Sequence, residues 1–214
     1  MSVSLALRPS AEWGDREIRD VASMHADLLP HSPVVELGQS FMQRFYYRVL
    51  PKDGLIRGVA AYVDDEPGGF IVYTREPSTF MRSAARRHFL ALAFSLGLAV
   101  LSQPKRLKSL NEARSISSEL DEDNRSTEVA ELLSFGVLAP FRTRKFMKES
   151  GVQLSAALMD AAVSDLQAEG AGRVRSVVDQ DNLEARMFYL GNGWTPGKPV
   201  TGWKVPTVEF LLDL

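Results

Sequence analysis

Apolar and polar positions alternate through SVSLALRP, which predicts a first strand. The next stretch, DREIRDVASMHADLL, changes period: Ile18, Val21, Met24 and Leu28 fall three or four residues apart, the spacing of one helix face. Pro30 and Pro33 break that helix, and VVELGQSFMQRFYYRVL reads as a second one that ends before Pro51. Two β-rich runs follow, DGLIRGVAAYV and GGFIVYT, joined by the acidic, proline and glycine residues of DDEPGG, and together they predict an antiparallel hairpin. From Glu76 to about Glu128 the strand pattern disappears. PSTFMRSAARRHFLALAFSLGLAVLSQP and KRLKSLNEARSI read as two helices separated near Pro104, an insertion closed by the acidic loop SELDEDN. A strand over EVAELLSFGVL leads through APFRTRKFMKES into a long helix, GVQLSAALMDAAVSDLQAEG, that stops at Gly170 or Gly172. RVRSVVD is a further strand and TVEFLLDL a last one, with a short helix over NLEARMFYLGNGW between them. The sum is a mixed α/β sheet with helices on its faces.

The short helix carries two patterns. Asn182, Ala185 and Tyr189 line up on one face, while Leu183, Met187 and Leu190 form an apolar stripe suited to packing inward; Gly191, Asn192 and Gly193 end the helix. Asn182 precedes an apolar periodic run, where an asparagine commonly caps the helix.

Composition narrows the chemistry by exclusion. At 214 residues the chain is long enough for one sizeable core, with no repeat period, so a single domain over 1–214 with a helical insertion at about 76–128 is the expected organisation. A net charge of −2 with 24% charged residues gives no global pull toward nucleic acid, so any anion binding is local. The absence of cysteine excludes disulfides and thiolate chemistry, and His25, His31 and His88 are too scattered for a metal site. MSVSLALRPSAEW lacks the basic and apolar regions of a secretory leader, which leaves the cytoplasm as the expected location.

Local anion chemistry is written most clearly between the fourth strand and the long helix. Arg142, Arg144, Lys145 and Lys148 fall within seven residues, just before a helix start expected near Gly151. A helix N-terminus offers free N–H groups and the positive end of its dipole, and neighbouring cations add to its attraction for a phosphate or pyrophosphate. Neither GxxxxGK[ST] nor GxGxxG occurs here, so mononucleotide and dinucleotide motifs are not supported.

With both units on one chain, in this order, the sequence resembles the GCN5-related N-acetyltransferase (GNAT) family over nearly its whole length. The family's N-x-x-A-x-x-x-Y-x-x-x-G-F segment is matched by Asn182, Ala185, Tyr189, Gly193 and Trp194, with Trp in place of Phe. The family's V-x-P-x-x-R-G-x-G-x-G loop is matched only in part: Pro140, a following arginine, Gly151 and Leu154 are kept, while Arg144, Lys145 and Phe146 stand where glycines are usual. The two paired helices between the third and fourth strands resemble a subgroup with an insertion at that place.

The resemblance implies a single mixed, mostly antiparallel sheet flanked by helices and splayed between the fourth and fifth strands. It also implies acetyl-CoA as cosubstrate without a metal, and transfer of the acetyl group to a primary amine by direct attack. Carried over residue by residue, it implies that Phe135, Gly136 and Val137 meet the pantetheine arm, and that Arg142, Arg144, Lys145 and Gly151 hold the pyrophosphate. Asn182 would contact the coenzyme A arm, and Tyr189 would protonate the leaving thiolate. Some members place a glutamate at the start of the fourth strand as general base, which here is Glu131. Strand alternation puts Glu131, Leu133, Phe135 and Val137 on one side, where apolar neighbours would raise the carboxyl pKa. A solvated strand-end carboxylate is the competing reading of Glu131; Glu119, Asp121, Glu122 and Asp123 could attract a cationic amine substrate, but a solvated surface loop is the preferred reading of them.

The run FLALAFSLGLAVL, Phe89 to Leu101, has basic residues on both sides and is too short to span a bilayer, which takes roughly 20 residues. An ordinary buried helix, the wall of an acyl pocket, and a helix resting on a membrane surface are the three readings of it, the first preferred. Longer acyl donors, or a coenzyme A-binding module without turnover, are the alternatives to acetyl transfer. The expected acceptor is a small-molecule primary amine of unspecified identity, with amino sugars, amino acids, small amines and protein lysines all open; no nucleic-acid partner is expected, and a homodimer is compatible with the sequence without being specified by it.

Overall fold

The computed structural model describes residues 3–93, 129–201, 203 and 205–214. Seven strands form one sheet: β1 (Leu5–Pro9), β2 (Arg57–Val63), β3 (Glu66–Thr74), β4 (Val129–Val137), β5 (Arg173–Asp179), β6 (Thr195–Val200) and β7 (Thr207–Asp213). Their order across the sheet is β1-β2-β3-β4-β5-β7-β6. Every neighbouring pair is antiparallel except β4 and β5, which run parallel.

The expected hairpin is present with a tighter turn than DDEPGG suggested. Only Asp64 and Asp65 form it, both left-handed at φ 50° and 67°, and Glu66, Pro67 and Gly69 already pair with β2. Two left-handed residues match the twist of the flanking strands, and aspartate is among the few side chains that accept that conformation.

Helices cover both faces. On one, α1 (Asp15–Leu28) buries Ile18, Val21, Met24 and His25 against β3 and β4. Residues 33–52 belong to the same side, but the single helix expected there is broken into Pro33–Glu36, Gln39–Phe41, a π turn at Met42–Tyr46, and Val49–Lys52. Gly38, at φ 92°, makes the first break, and Pro51 sits inside the last piece rather than beyond it. Phe41, Met42, Phe45, Tyr46, Tyr47 and Leu50 are nevertheless all buried, so the apolar spacing was used by a helix that changes pitch.

On the other face, α4 (Leu154–Ala168) crosses β2, β3 and β4 and buries Leu154, Leu158, Met159, Ala162 and Leu166. Beside it, α5 (Leu183–Gly191) contributes Tyr189. Two further short helices are α2 (Phe80–Arg87) and α3 (Arg144–Ser150). The long helix expected after Pro77 stops at Arg87, with His88 at φ −125°, and helical structure resumes at Phe89. Phe89 and Leu90 are 67% and 81% exposed, contrary to a buried start for the apolar run. The remainder of that run, the second insertion helix and the acidic loop with Glu119, Asp121, Glu122 and Asp123 lie outside the described residues. Among the described residues no helix is long and apolar enough to cross a membrane.

Two expectations about the C-terminal region are corrected. β6, TPGKPV, was not legible as a strand, because prolines at 196 and 199 argue against one; it occurs at the edge of the sheet, where a missing N–H is tolerated. The α5 stripe faces outward: Leu183, Met187 and Leu190 are 63%, 59% and 44% exposed, and Phe188 and Tyr189 turn inward instead. The helix is only nine residues long and lies where its inner surface is filled by aromatic rings.

Candidate active site

The parallel pair β4–β5 is joined only over its first half. Val129 to Leu132 pair with Arg173 to Ser176 and the pairing stops there. Above that rung β4 stays on β3 up to Val137, opposite Gly69, and β5 stays on β7 up to Asp179, opposite Thr207. The strands therefore part into a V-shaped slot. Backbone groups along each inner edge have no partner from the facing strand, the condition for an extended ligand to pair with them.

A bulge marks the point of parting. Tyr73 of β3 pairs with Leu132 and Val72 with Ser134, which leaves Leu133 as the extra residue. Such an insertion resets the alternation and bends its strand. Below the bulge Ala130 and Leu132, and above it Phe135 and Val137, all pack on the α4 side; Leu133 packs on the α1 side. A Cβ on Gly136 would lie 2.7 Å from Leu28 of α1, so Gly136 also turns that way and no larger residue fits under the helix. The expectation that Glu131 shares a face with Phe135 and Val137 is thus incorrect, because one extra residue intervenes.

Tyr189 stands at the last paired rung. Its hydroxyl accepts a hydrogen bond from Ser176 Oγ at 2.8 Å, and Ser176 is the partner of Leu132 where pairing ends. Its ring stacks on Phe210 at 5.4 Å and meets Trp194 edge-on at 4.9 Å. Burial pushes the phenol up to about 12, with the Ser176 bond opposing the shift, so Tyr189 is protonated at neutral pH and its own hydrogen is free to be donated. Higher in the slot the Phe135 and Phe188 rings approach to 5.4 Å, one from each wall.

Glu131 is not solvated. It is 6% exposed and held by Arg175, itself 4% exposed, through Nη2 at 2.5 Å and Nε at 3.2 Å. Loss of hydration raises its carboxyl above the ordinary carboxylate range, and the Arg175 charge only partly opposes this. Other buried polar groups are grouped on the α1 side of β4. Tyr46 is raised by burial and by the Glu131 charge, and the Tyr47 hydroxyl bonds both the Ser134 side chain and His25 Nδ1. His25 is fully buried and held neutral, its pKa lowered to about 4 by desolvation, and its Nε2 has no partner among the described residues.

The basic segment differs from the loop expected. Ala139–Arg142 forms a 3-10 turn, and α3 itself carries Arg144, Lys145 and Lys148. Thr143 caps α3 by accepting from the Phe146 N–H at 3.1 Å, and Gly151, at φ 72°, closes it, so the long helix begins at Leu154 rather than near Gly151. Residues with full side chains in place of glycines extend as a helix instead of curling as a loop. Arg142 forms an ion pair with Glu184 in the first turn of α5 at 2.8 Å; Arg144, Lys145 and Lys148 are exposed and have no ion pair among the described residues. Asn182 caps α5, its Oδ1 accepting from the Ala185 N–H at 3.0 Å. Tyr189, Phe135, Gly136 and Val137 thus line the slot, Arg142 stands beside α5, and Glu131 lies below the slot on the other face.

A separate cavity of about 510 Å³ opens at the far end of the sheet, between Pro9, Arg57, Tyr73 and Asp165. Its main charges are already engaged, Arg57 with Asp165 and Glu169 and Tyr73 with Asp165.

No family model and no curated protein matches the chain by sequence. Solved structures do match it. NAA60 of Arabidopsis thaliana in complex with acetyl-CoA superposes with a TM-score of 0.58 at 13% identity, covering 99% of each chain. The aminoglycoside acetyltransferase AAC(6')-Ib in complex with coenzyme A gives 0.58 at 12% identity, over 98% of this chain and 95% of that one. A protein of Desulfovibrio desulfuricans described as a GNAT-family acetyltransferase gives 0.54 at 13% identity, over 98% and 99%. The chain has the GNAT fold. The mixed sheet, its parallel β4–β5 pair and the flanking helices are those expected of the GNAT fold.

Within that GNAT fold several site neighbours were not foreseen. Arg175 was legible in principle, since aligning VAEL with RVRS in parallel sets Glu131 opposite Arg175 inside two apolar strands. Ser176, Ser134, Tyr47, His25 and Glu184 come from separate elements and share no spacing that would join them. Among the described residues no cluster suited to a metal ion occurs.

Proposed function

We propose that the protein is an N-acetyltransferase that passes the acetyl group of acetyl-CoA to a small primary amine in the β4–β5 slot. The observation that carries this reading is the Tyr189 hydroxyl at the last rung before β4 and β5 separate. A pantetheine arm needs backbone groups to pair with, and the inner edge of β4 from Phe135 to Val137 supplies them. Arg142, Arg144 and Lys145 fit the donor's phosphates as charged side chains, and so do the uncapped first amides of α4 just beyond Gly151.

In the proposed reaction the amine attacks the thioester carbon, whose oxygen is polarised by a β4 backbone N–H. The carbon–sulfur bond breaks, and Tyr189 gives its proton to the departing sulfur and regains one from solvent. Glu131, lifted by burial, receives the proton lost by the amine through water passing between the parted strands, since it lies on the other face of β4 and must loosen from Arg175. Asn182 acts by holding the start of α5, with its side chain committed to the cap.

The test is turnover of acetyl-CoA with a panel of primary amines, read as thiol release. Tyr189→Phe is expected to lower kcat about 100-fold while changing donor affinity little. Unaltered turnover in that variant would remove Tyr189 from the mechanism, and no binding of acetyl-CoA at millimolar concentration would end the proposal as a whole.

A further inference from the structure

An ion pair spans the mouth of the slot. Arg142, the first cation after β4, is not free: its Nη1 lies 2.8 Å from Glu184 Oε2, across the opening between the β4–α3 connection and α5. The other three cations of the segment have no such partner among the described residues. Glu184 is 71% exposed and sits in the first turn of α5, where a carboxylate is also favoured by the helix dipole. A carboxylate on a guanidinium offers the same two-oxygen edge that a phosphate would.

We propose that Glu184 is a built-in competitor for the donor's phosphates, a residue that lowers donor affinity by occupying Arg142. The inference rests on the reading that the slot takes coenzyme A. Donor binding then exchanges one ion pair for another: the Arg142–Glu184 bond opens, the guanidinium turns to a phosphate oxygen, and the Glu184 carboxylate returns to water. No covalent change is involved. Product release is the reverse, with Glu184 displacing the phosphate from Arg142, so the residue trades donor affinity for departure of coenzyme A. Both partners are substantially exposed, so the effect is modest and screened by salt.

Calorimetry of the full chain decides this with two probes, coenzyme A and pantetheine, which lacks the phosphates. Glu184→Gln is expected to tighten coenzyme A binding about fivefold at low ionic strength, less at high, and to leave pantetheine binding unchanged. In the Arg142→Ala background the same substitution should give no gain. A coenzyme A affinity that stays the same or weakens in Glu184→Gln overturns the proposal, as does a gain that persists without Arg142 or extends equally to pantetheine. Failure of the unaltered protein to bind either probe would instead overturn the coenzyme A reading beneath it.

Discussion

The two faces of β4 are held by different means. Toward α4 the strand presents Ala130, Leu132, Phe135 and Val137, continuous with Tyr189, Trp194 and Phe210. Toward α1 lie Glu131 with Arg175, and Ser134 joined through Tyr47 to His25, all buried. Both faces are largely buried, Phe135 only in part, so hydration alone does not distinguish them; what differs is whether each group needs a hydrogen-bonding partner. The apolar face is held by contact area alone and tolerates exchange of similar volumes, whereas the polar groups on the other face depend on particular neighbours.

Cutting one such dependence should have the largest effect. Arg175→Met leaves the Glu131 carboxylate buried without its counter-charge, and a loss of about 3–5 kcal/mol is expected in denaturant unfolding. Adding Glu131→Leu should restore most of it. If the single variant unfolds at the same denaturant concentration as the unaltered protein, the polar face does not depend on this pair.

The next effect is a dependence on pH. His25 titrates near 6.5 when unfolded and at about 4 when folded, so between those values the unfolded chain holds the extra proton. Stability is therefore unaffected by His25 above pH 6.5 and falls as the pH drops toward 4, by roughly 3 kcal/mol in all. Glu131, raised by burial, contributes with the opposite sign in acid, which is why the comparison must be made against His25→Asn. The difference between the two proteins isolates the histidine, and equal slopes would contradict its burial in the neutral form.

The smallest effect expected is on the shape of the pH–rate profile, read on the folded protein because loss of the Glu131 charge also leaves Arg175 without its partner. Glu131→Gln should remove the ionisation on its acid limb and lower kcat/KM; an unchanged profile would leave the carboxylate a structural partner of Arg175 and nothing more.

The comparison also explains what could be read from the sequence. Strands β1 to β5 and β7, with helices α1, α4 and α5, follow from period and from turn residues, because burial on one side imposes a repeat that survives without tertiary context. Tyr189 was legible as a site residue through its motif, but its bond to Ser176 on the strand before it was not, because the two residues share no spacing. The bulge at Leu133 was not, since EVAELLSFGVL reads as unbroken β structure and the extra residue is defined only by its partner Val72–Tyr73. The outward turn of Leu183, Met187 and Leu190 was missed because two stripes of similar apolarity compete for a nine-residue helix, and the aromatic residues prevailed. His25 and Tyr47, 22 positions apart, meet only because α1 and the following helical pieces fold over one strand.

The edge strand β6 has a consequence of its own. An exposed sheet margin usually invites a foreign strand to add on, and chains manage that hazard with charges or interruptions. Here two of the six residues, Pro196 and Pro199, have no N–H to offer, and a third, Lys198, gives its own to Glu209. Replacing the prolines would therefore be expected to open this border of the sheet to edge-to-edge assembly.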